Sequence, residues 1–158
     1  MDSARLFLDK SRRLLSADYL PKIDRSLEAL TDADVWWRPN EASNSIGNLL
    51  LHLCGNVTQW IVGGVAGRPY ERVRQQEFDN RSPVPRGELL ERLRRIVAEA
   101  DEVLAALDPA ALIERRRIQS YDVSVLEAIY HVVEHFGMHT GQIILLSKMR
   151  TGTEWPRA

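Results

Sequence analysis

The chain has 158 residues and a mass of 18.0 kDa, enough for one domain with a single sizeable core. Its 21 basic and 22 acidic residues leave a formal charge of −1, which gives no electrostatic footprint for nucleic acid. No apolar run approaches the roughly 20 residues needed to span a bilayer. The start, MDSARLFLDKSRRLL, lacks the continuous apolar stretch of a secretory signal, and the one cysteine, Cys54, cannot form an internal disulfide. The expectation is a cytoplasmic protein with neither membrane nor nucleic-acid partners, folded as a single domain over 1–158.

In chain order, apolar residues at helical spacing predict a helical segment from Ser3 to Leu30: Leu6, Phe7, Leu14, Leu15, Leu20, Ile23, Leu27 and Leu30. Pro21 lies inside it. It either starts a second helix capped by Asp18 or kinks a continuous one. The stretch TDADVWWRPNEASNS breaks the period and reads as a loop. A second helix follows from about Ser45 to Gly63, capped by Asn44 or Ser45, with Ile46, Leu49, Leu50, Leu53, Val57, Trp60 and Ile61 on its apolar side. Gly64 to Pro85 reads as a long connection, of a length that carries function or a crossover. The third helix, about Arg86 to Leu107, has the cleanest amphipathic stripe and no chemistry. Asp108-Pro109 ends it, and Arg115, Arg116 and Arg117 read as a solvated surface segment. The fourth helix starts near Val123 with Asp122 as cap and runs to about Arg150, where Gly152 stops it. Without strand alternation or internal repeats, the pattern predicts an all-α four-helix bundle with long connections.

All four histidines lie in the two most hydrophobic helices: His52 in SIGNLLLHLCGN, and His131, His135 and His139 in YHVVEHFGMHTGQI. Positions i and i+4 share a helix face. Glu127, His131, His135, His139 and Gln142 therefore make one polar stripe, and Asn48, His52, Asn56 and Gln59 another. Buried polar groups need partners, and the simplest are each other or a shared ion. Imidazoles suit zinc, nickel, copper or iron(II), and three protein ligands leave a position open for water or substrate. His131 and His139 stand about 12 Å apart along the axis. The ion then takes either His131 with His135 or His135 with His139, with His52 as the third ligand. Cys54, about 200° around the helix from that stripe, reads as a small core residue. Asn48, Asn56 and Gln142 either orient ligands or cap and bridge helices. Arg72, Arg74 and Glu77 sit in a connection able to close over the pocket, with surface ion pairing the favoured account. Trp36, Trp37, Trp60 and Trp155 read as core or interface anchors.

The segments NSIGNLLLHLCGNVTQWIVGG and YHVVEHFGMHTGQI resemble those of the DinB/YfiT-like superfamily of metalloenzymes. The W-R-P-N ahead of the first block and R-x-R-x-x-E-F from Arg72 to Phe78 resemble one of its bacterial branches. The likeness spans nearly the whole chain in the right order. It implies a four-helix bundle of up-down-down-up topology, usually in a homodimer, with a three-histidine metal site at His52, His135 and His139. His131 then becomes a pocket residue beside Asn48, Asn56 and Gln142. Zinc or nickel is the expected ion, with iron next.

The functional expectation is a metal-dependent enzyme acting on a small-molecule substrate. The resemblance implies a thiol-dependent transferase using a low-molecular-weight thiol, or a hydrolase. The chain shows no nucleophile of its own and no obvious general base beside the site, where Glu127 and Glu134 are weak candidates, and that absence favours activation of a thiol or water by the metal. The alternative is a non-catalytic metal- or small-molecule-binding bundle, a sensor or partner protein, with His131 or a carboxylate closing the coordination. A third reading leaves the histidines binding nothing, in which case His52→Leu or His139→Leu should stabilise the fold.

Overall fold

Four long helices dominate the structure, a computed structural model that describes residues 2–81 and 83–152. Trp155 lies outside the described residues. Helix α1 spans residues 3–27 without a break: Ser3–Arg13 and Leu20–Leu27 are joined by a π-helical turn over Leu14–Tyr19. Pro21 has no N–H to donate, and the wider register just before it, with Leu20 N–H on Leu15 O, absorbs the lost bond. Of the two readings of Pro21, continuity is the one observed, and Asp18 pairs with Lys22 rather than capping a helix.

The segment expected as loop contains a short helix, α2 (Asp32–Val35), held by a Thr31/Asp34 capping box. One turn is too short to show a period. Helix α3 spans residues 46–65, as Ile46–Val57 and a π-helical stretch Thr58–Val65, and Ser45 caps it. The long connection holds α4 (Arg74–Asp79), and α5 (Arg86–Ala106) follows.

The absence of strands is the expectation the structure corrects. Arg115–Ile118 (β1) and Tyr121–Ser124 (β2) form an antiparallel hairpin, with Arg116 opposite Val123 and Ile118 opposite Tyr121. Each strand has four residues, mostly polar, and the turn Gln119-Ser120 lacks the Asn-Gly or Asp-Gly signal of a tight hairpin. Its stability is tertiary: Ile118, 2% exposed, packs against α3 where Gly64 has no side chain. Arg115 and Arg116 stay at the surface, paired to Asp122 and Glu114. Helix α6 (Val125–Thr151) is then capped by Ser124 with Glu127 at its third position, not by Asp122, and ends at Gly152 in the left-handed region (φ 67°).

Cross-helix contacts give the topology. Arg12 pairs with Asp101 and Asp24 with Arg94, so α1 and α5 are antiparallel. Tyr19 stacks near Phe136 and Ser147 bonds Ser26, so α1 and α6 are parallel. His52 meets His135 and Asn56 meets His131, so α3 and α6 are antiparallel. The four long helices thus run up, down, down, up. The parallel pair α3 and α5 needs a crossover, which is why residues 66–85 are long. Leu8, Ile23, Leu53, Ile61, Leu93, Leu104, Ile129 and Phe136 are fully buried between them, each contributing about 1.5–3 kcal/mol by removal from water.

Candidate metal centre

Three of the four imidazoles converge where α3 faces α6. His52 Nε2 lies 2.7 Å from His135 Nε2, which lies 3.1 Å from His139 Nε2. One ligand atom from each of the three falls within 4.8 Å of the others. His52 and His139 are buried at 3% and 7% exposure, and His135 is half-buried. The i, i+4 pair that joins His52 is therefore His135 with His139.

Two of the rings are held from behind. His52 Nδ1 donates to Glu77 Oε2 at 2.8 Å, and His139 Nδ1 donates to Gln142 Oε1 at 2.6 Å. Each bond fixes the proton on Nδ1, so each Nε2 offers a lone pair to the same point. His135 Nε2 can donate its proton to only one of them. Three nitrogens packed this way lack the hydrogens to satisfy one another, whereas a cation satisfies all three. Bonds of about 2.0–2.1 Å at tetrahedral angles would set the nitrogens about 3.3 Å apart, close to the 2.7 and 3.1 Å of the two pairs that share His135. Burial, then the neighbouring imidazoles, pushes His135 down to about 3. Burial likewise lowers His139 and His131. Neutral imidazole is the form that binds metal, so the donor set fits a divalent transition ion.

Glu77 is the residue whose role the sequence did not disclose. It lies in the six-residue helix α4, 25 positions from His52. Surface ion pairing was the expected role of Arg72 and Glu77, yet their side chains are only 7% and 10% exposed. Arg72 grips both carboxylate oxygens at 2.7 and 2.9 Å and donates to Gln59 Oε1 at 2.6 Å. Burial opposes ionisation of Glu77, but hydrogen bonds from Arg72 and His52 outweigh it and hold the carboxyl below its usual range. A buried ion pair this close leaves little space, and Gly55 supplies it: a Cβ there would lie 2.0 Å from Glu77 Oε1. Gly55 is three residues from His52 on the same face, and that missing side chain beside a histidine is the one signal that something occupies the space.

The remaining expected site residues divide. Asn48 is fully buried but has no hydrogen bond to a histidine among the described residues; it completes the Ser45 capping box and donates to Glu77 O at 2.7 Å and Asn80 O at 3.1 Å. Together with Arg38, which bonds both Asn48 and Phe78 O, it anchors the α4 segment. Asn56 donates to His131 Nε2 at 3.3 Å, and both line a cavity of about 650 Å³ next to the cluster. Trp60, Arg72, Arg74, Tyr121 and Glu127 share its wall. Trp60 belongs to the core, as expected, and also faces this cavity, its ring centroid 4.4 Å from that of His131. Glu127 accepts from Ser124 and Arg115 as a helix cap, and Glu134 lies exposed off the cavity, so neither is placed as a base for the cluster. Cys54 packs against the core on the far side, lining another groove, where burial pushes its thiol up to about 12.

Among the described residues no helix is long and apolar enough to cross a membrane. A family model for a protein of unknown function, DUF1572, matches residues 2–157. No curated protein matches the sequence. Among solved structures, that of a DinB-like protein from Bacillus cereus ATCC 10987 is similar, with a TM-score of 0.69 at 15% identity over 89% of this chain and 90% of that one. That likeness is one of fold.

Proposed function

The chain belongs to the DUF1572 family, a DinB-like family, and from that membership and the geometry of the site we propose that it is a metal-dependent enzyme whose His52, His135 and His139 hold one divalent ion. One observation carries the reading: three Nε2 atoms from two helices face a common point, two of them with their protons fixed on the opposite nitrogen. Zinc or nickel suits three imidazoles, with iron(II) next. When bound, such an ion supplies Lewis acidity, polarising an oxygen or favouring the deprotonated form of a coordinated thiol or water.

The chain's own groups do the rest. Glu77 and Gln142 hold two rings in register, and Arg72 keeps Glu77 charged. His131 and Asn56 line the cavity beside the cluster, and His131 contributes no nitrogen to it. That supports an open coordination position over a closed four-ligand site, and so an enzyme over a sensor.

Cys54 is the only cysteine, and its raised thiol lies away from the cavity. A reaction using sulfur must therefore take its thiol from solution. This favours activation by the ion of a thiol or a water taken from solution: a thiol-dependent transferase, in which a low-molecular-weight thiol adds to an electrophilic substrate, or a hydrolase using the same centre. A homodimer completes the proposal, supported by the exposed apolar side chains Tyr130, Met138, Leu145 and Met149 on α6. Sedimentation at micromolar concentration tests it, and a monomer there overturns it.

Elemental analysis of tag-free protein purified without chelator tests the centre. About one equivalent of metal is expected in the wild type, with loss in each of His52→Ala, His135→Ala and His139→Ala. Metal-free wild type that also takes up neither zinc nor nickel would refute the centre. If thiol transfer is right, consumption of an electrophile requires both metal and thiol, and full activity in His135→Ala rules it out.

A further inference from the structure

Charge around the cavity is unevenly committed. Arg72 is paired with Glu77 and bonded to Gln59, and Glu127 is bonded to Ser124 and Arg115. Arg74 is different. It lines the same cavity, is exposed, and forms no hydrogen bond or ion pair with any described residue. Its guanidinium lies 5.0 Å from the centroid of the Phe78 ring, a cation–π contact that holds the group in place without using its donors. Phe78 in turn packs on His52, with centroids 4.7 Å apart, so Arg74 is tied to the wall beside the histidine cluster. On another part of that wall, Trp60 stands between Tyr121, 6.0 Å away, and His131, 4.4 Å away. Gln119, the hairpin residue at φ 55°, adds an amide to the lining.

We propose that this cavity binds a small organic carboxylate, with the anion on Arg74 and a flat apolar body against Trp60 and Tyr121. The proposal names the substrate class of the enzyme proposed above and rests on that reading for its catalytic meaning, though not for binding itself. A single guanidinium fork matches the two oxygens of a carboxylate, whereas a phosphate would leave further oxygens without a cationic donor. An unpaired arginine at the mouth of a cavity also attracts anions before contact. The volume of about 650 Å³ suits a ligand of one or two rings.

Benzoate is the probe, with benzamide as its neutral counterpart, titrated by calorimetry and ligand-observed NMR at fixed ionic strength. Wild type, Arg74→Gln, Arg74→Lys and the surface control Arg95→Gln are each measured with zinc and in chelator. Benzoate is expected to bind wild type about tenfold more tightly than benzamide does, and Arg74→Gln to lose about the same factor. Arg74→Lys should retain part of the affinity and Arg95→Gln all of it. Equal benzoate affinity in wild type and Arg74→Gln overturns the proposal, as does equal affinity for benzamide or no benzoate binding at tens of millimolar. Binding that disappears with chelator but ignores Arg74 also overturns it, because the carboxylate then sits on the ion. Should the protein take up no metal while Arg74-dependent binding persists, the metal centre fails and the anion site stands.

Discussion

Glu77 orients His52 and also neutralises Arg72, and the two tasks have different energies. Removing one member of a buried ion pair costs about 3–5 kcal/mol, so Glu77→Ala would confound lost stability with lost function. The double variant Arg72→Met/Glu77→Gln removes both charges and keeps an oxygen for the His52 proton. It is expected to fold and to bind zinc about 10–100-fold more weakly, read by competition with a fluorescent chelator; unchanged affinity would reduce Glu77 to a structural role. Gly55→Ala approaches the same point from the other side. Alanine gains about 1 kcal/mol of helix propensity, but its Cβ would strike Glu77 Oε1 and Arg72 Nε. The ion pair is worth more than the propensity, so weaker zinc binding is expected without loss of helix by circular dichroism. Cys54 gives a negative expectation. With its thiol near 12, about one molecule in ten thousand is thiolate at pH 8, and iodoacetamide should alkylate it only after unfolding.

At the scale of elements, the hairpin and the crossover are where sequence and structure part. The helices carrying His52 and the other histidines were legible because their apolar residues repeat over three or more turns. The helix α4 that delivers Glu77 has six residues, and β1 and β2 have four each. Periodicity is not defined over so few positions, and buried charges there look like surface charges until their partners are known. Gly64 tests whether the hairpin depends on its seat. In Gly64→Ala the new Cβ would lie 2.3 Å from Ile118 Cδ1. Overpacking of about 1–3 kcal/mol exceeds the roughly 1 kcal/mol of propensity gained. Lower Tm and faster amide exchange in residues 115–124 are expected, with zinc stoichiometry unchanged. A second joint lies at the other end of the bundle. Hydrogen bonds from Thr31, then from Arg150 at the end of α6, lower Asp34 to about 2. A depressed carboxyl stabilises the fold above its unfolded value, near 4, and that contribution disappears as pH falls from about 4 to about 2. Asp34→Asn should therefore flatten the acid limb of the stability profile across that window, and an unaltered limb would place the coupling elsewhere.

For the whole molecule, the up-down-down-up order puts the histidines of α3 and α6 face to face and leaves their crossover to close one side of the site. An interior built this way is costly without an ion. Three imidazoles and a buried ion pair occupy space that Leu or Met would fill without desolvation cost, so the apo protein should be markedly less stable than the metal-bound one. An ion bound only by the folded chain adds RT ln(1 + [L]/Kd), about 4 kcal/mol at a thousandfold excess over Kd. For a chain of this length that corresponds to a rise in Tm of about 8–16 °C. Calorimetry with and without zinc measures it, and His139→Leu separates the explanations. If the histidines hold an ion, the Leu variant loses the zinc-dependent rise while its apo Tm equals or exceeds that of wild type, because a buried polar group has gone. If they hold none, the variant is again the more stable but zinc moves neither protein. A Leu variant that unfolds below apo wild type would show instead that the cluster stabilises the fold through its own hydrogen bonds, and the excess of acceptors among the three Nε2 atoms argues against that outcome.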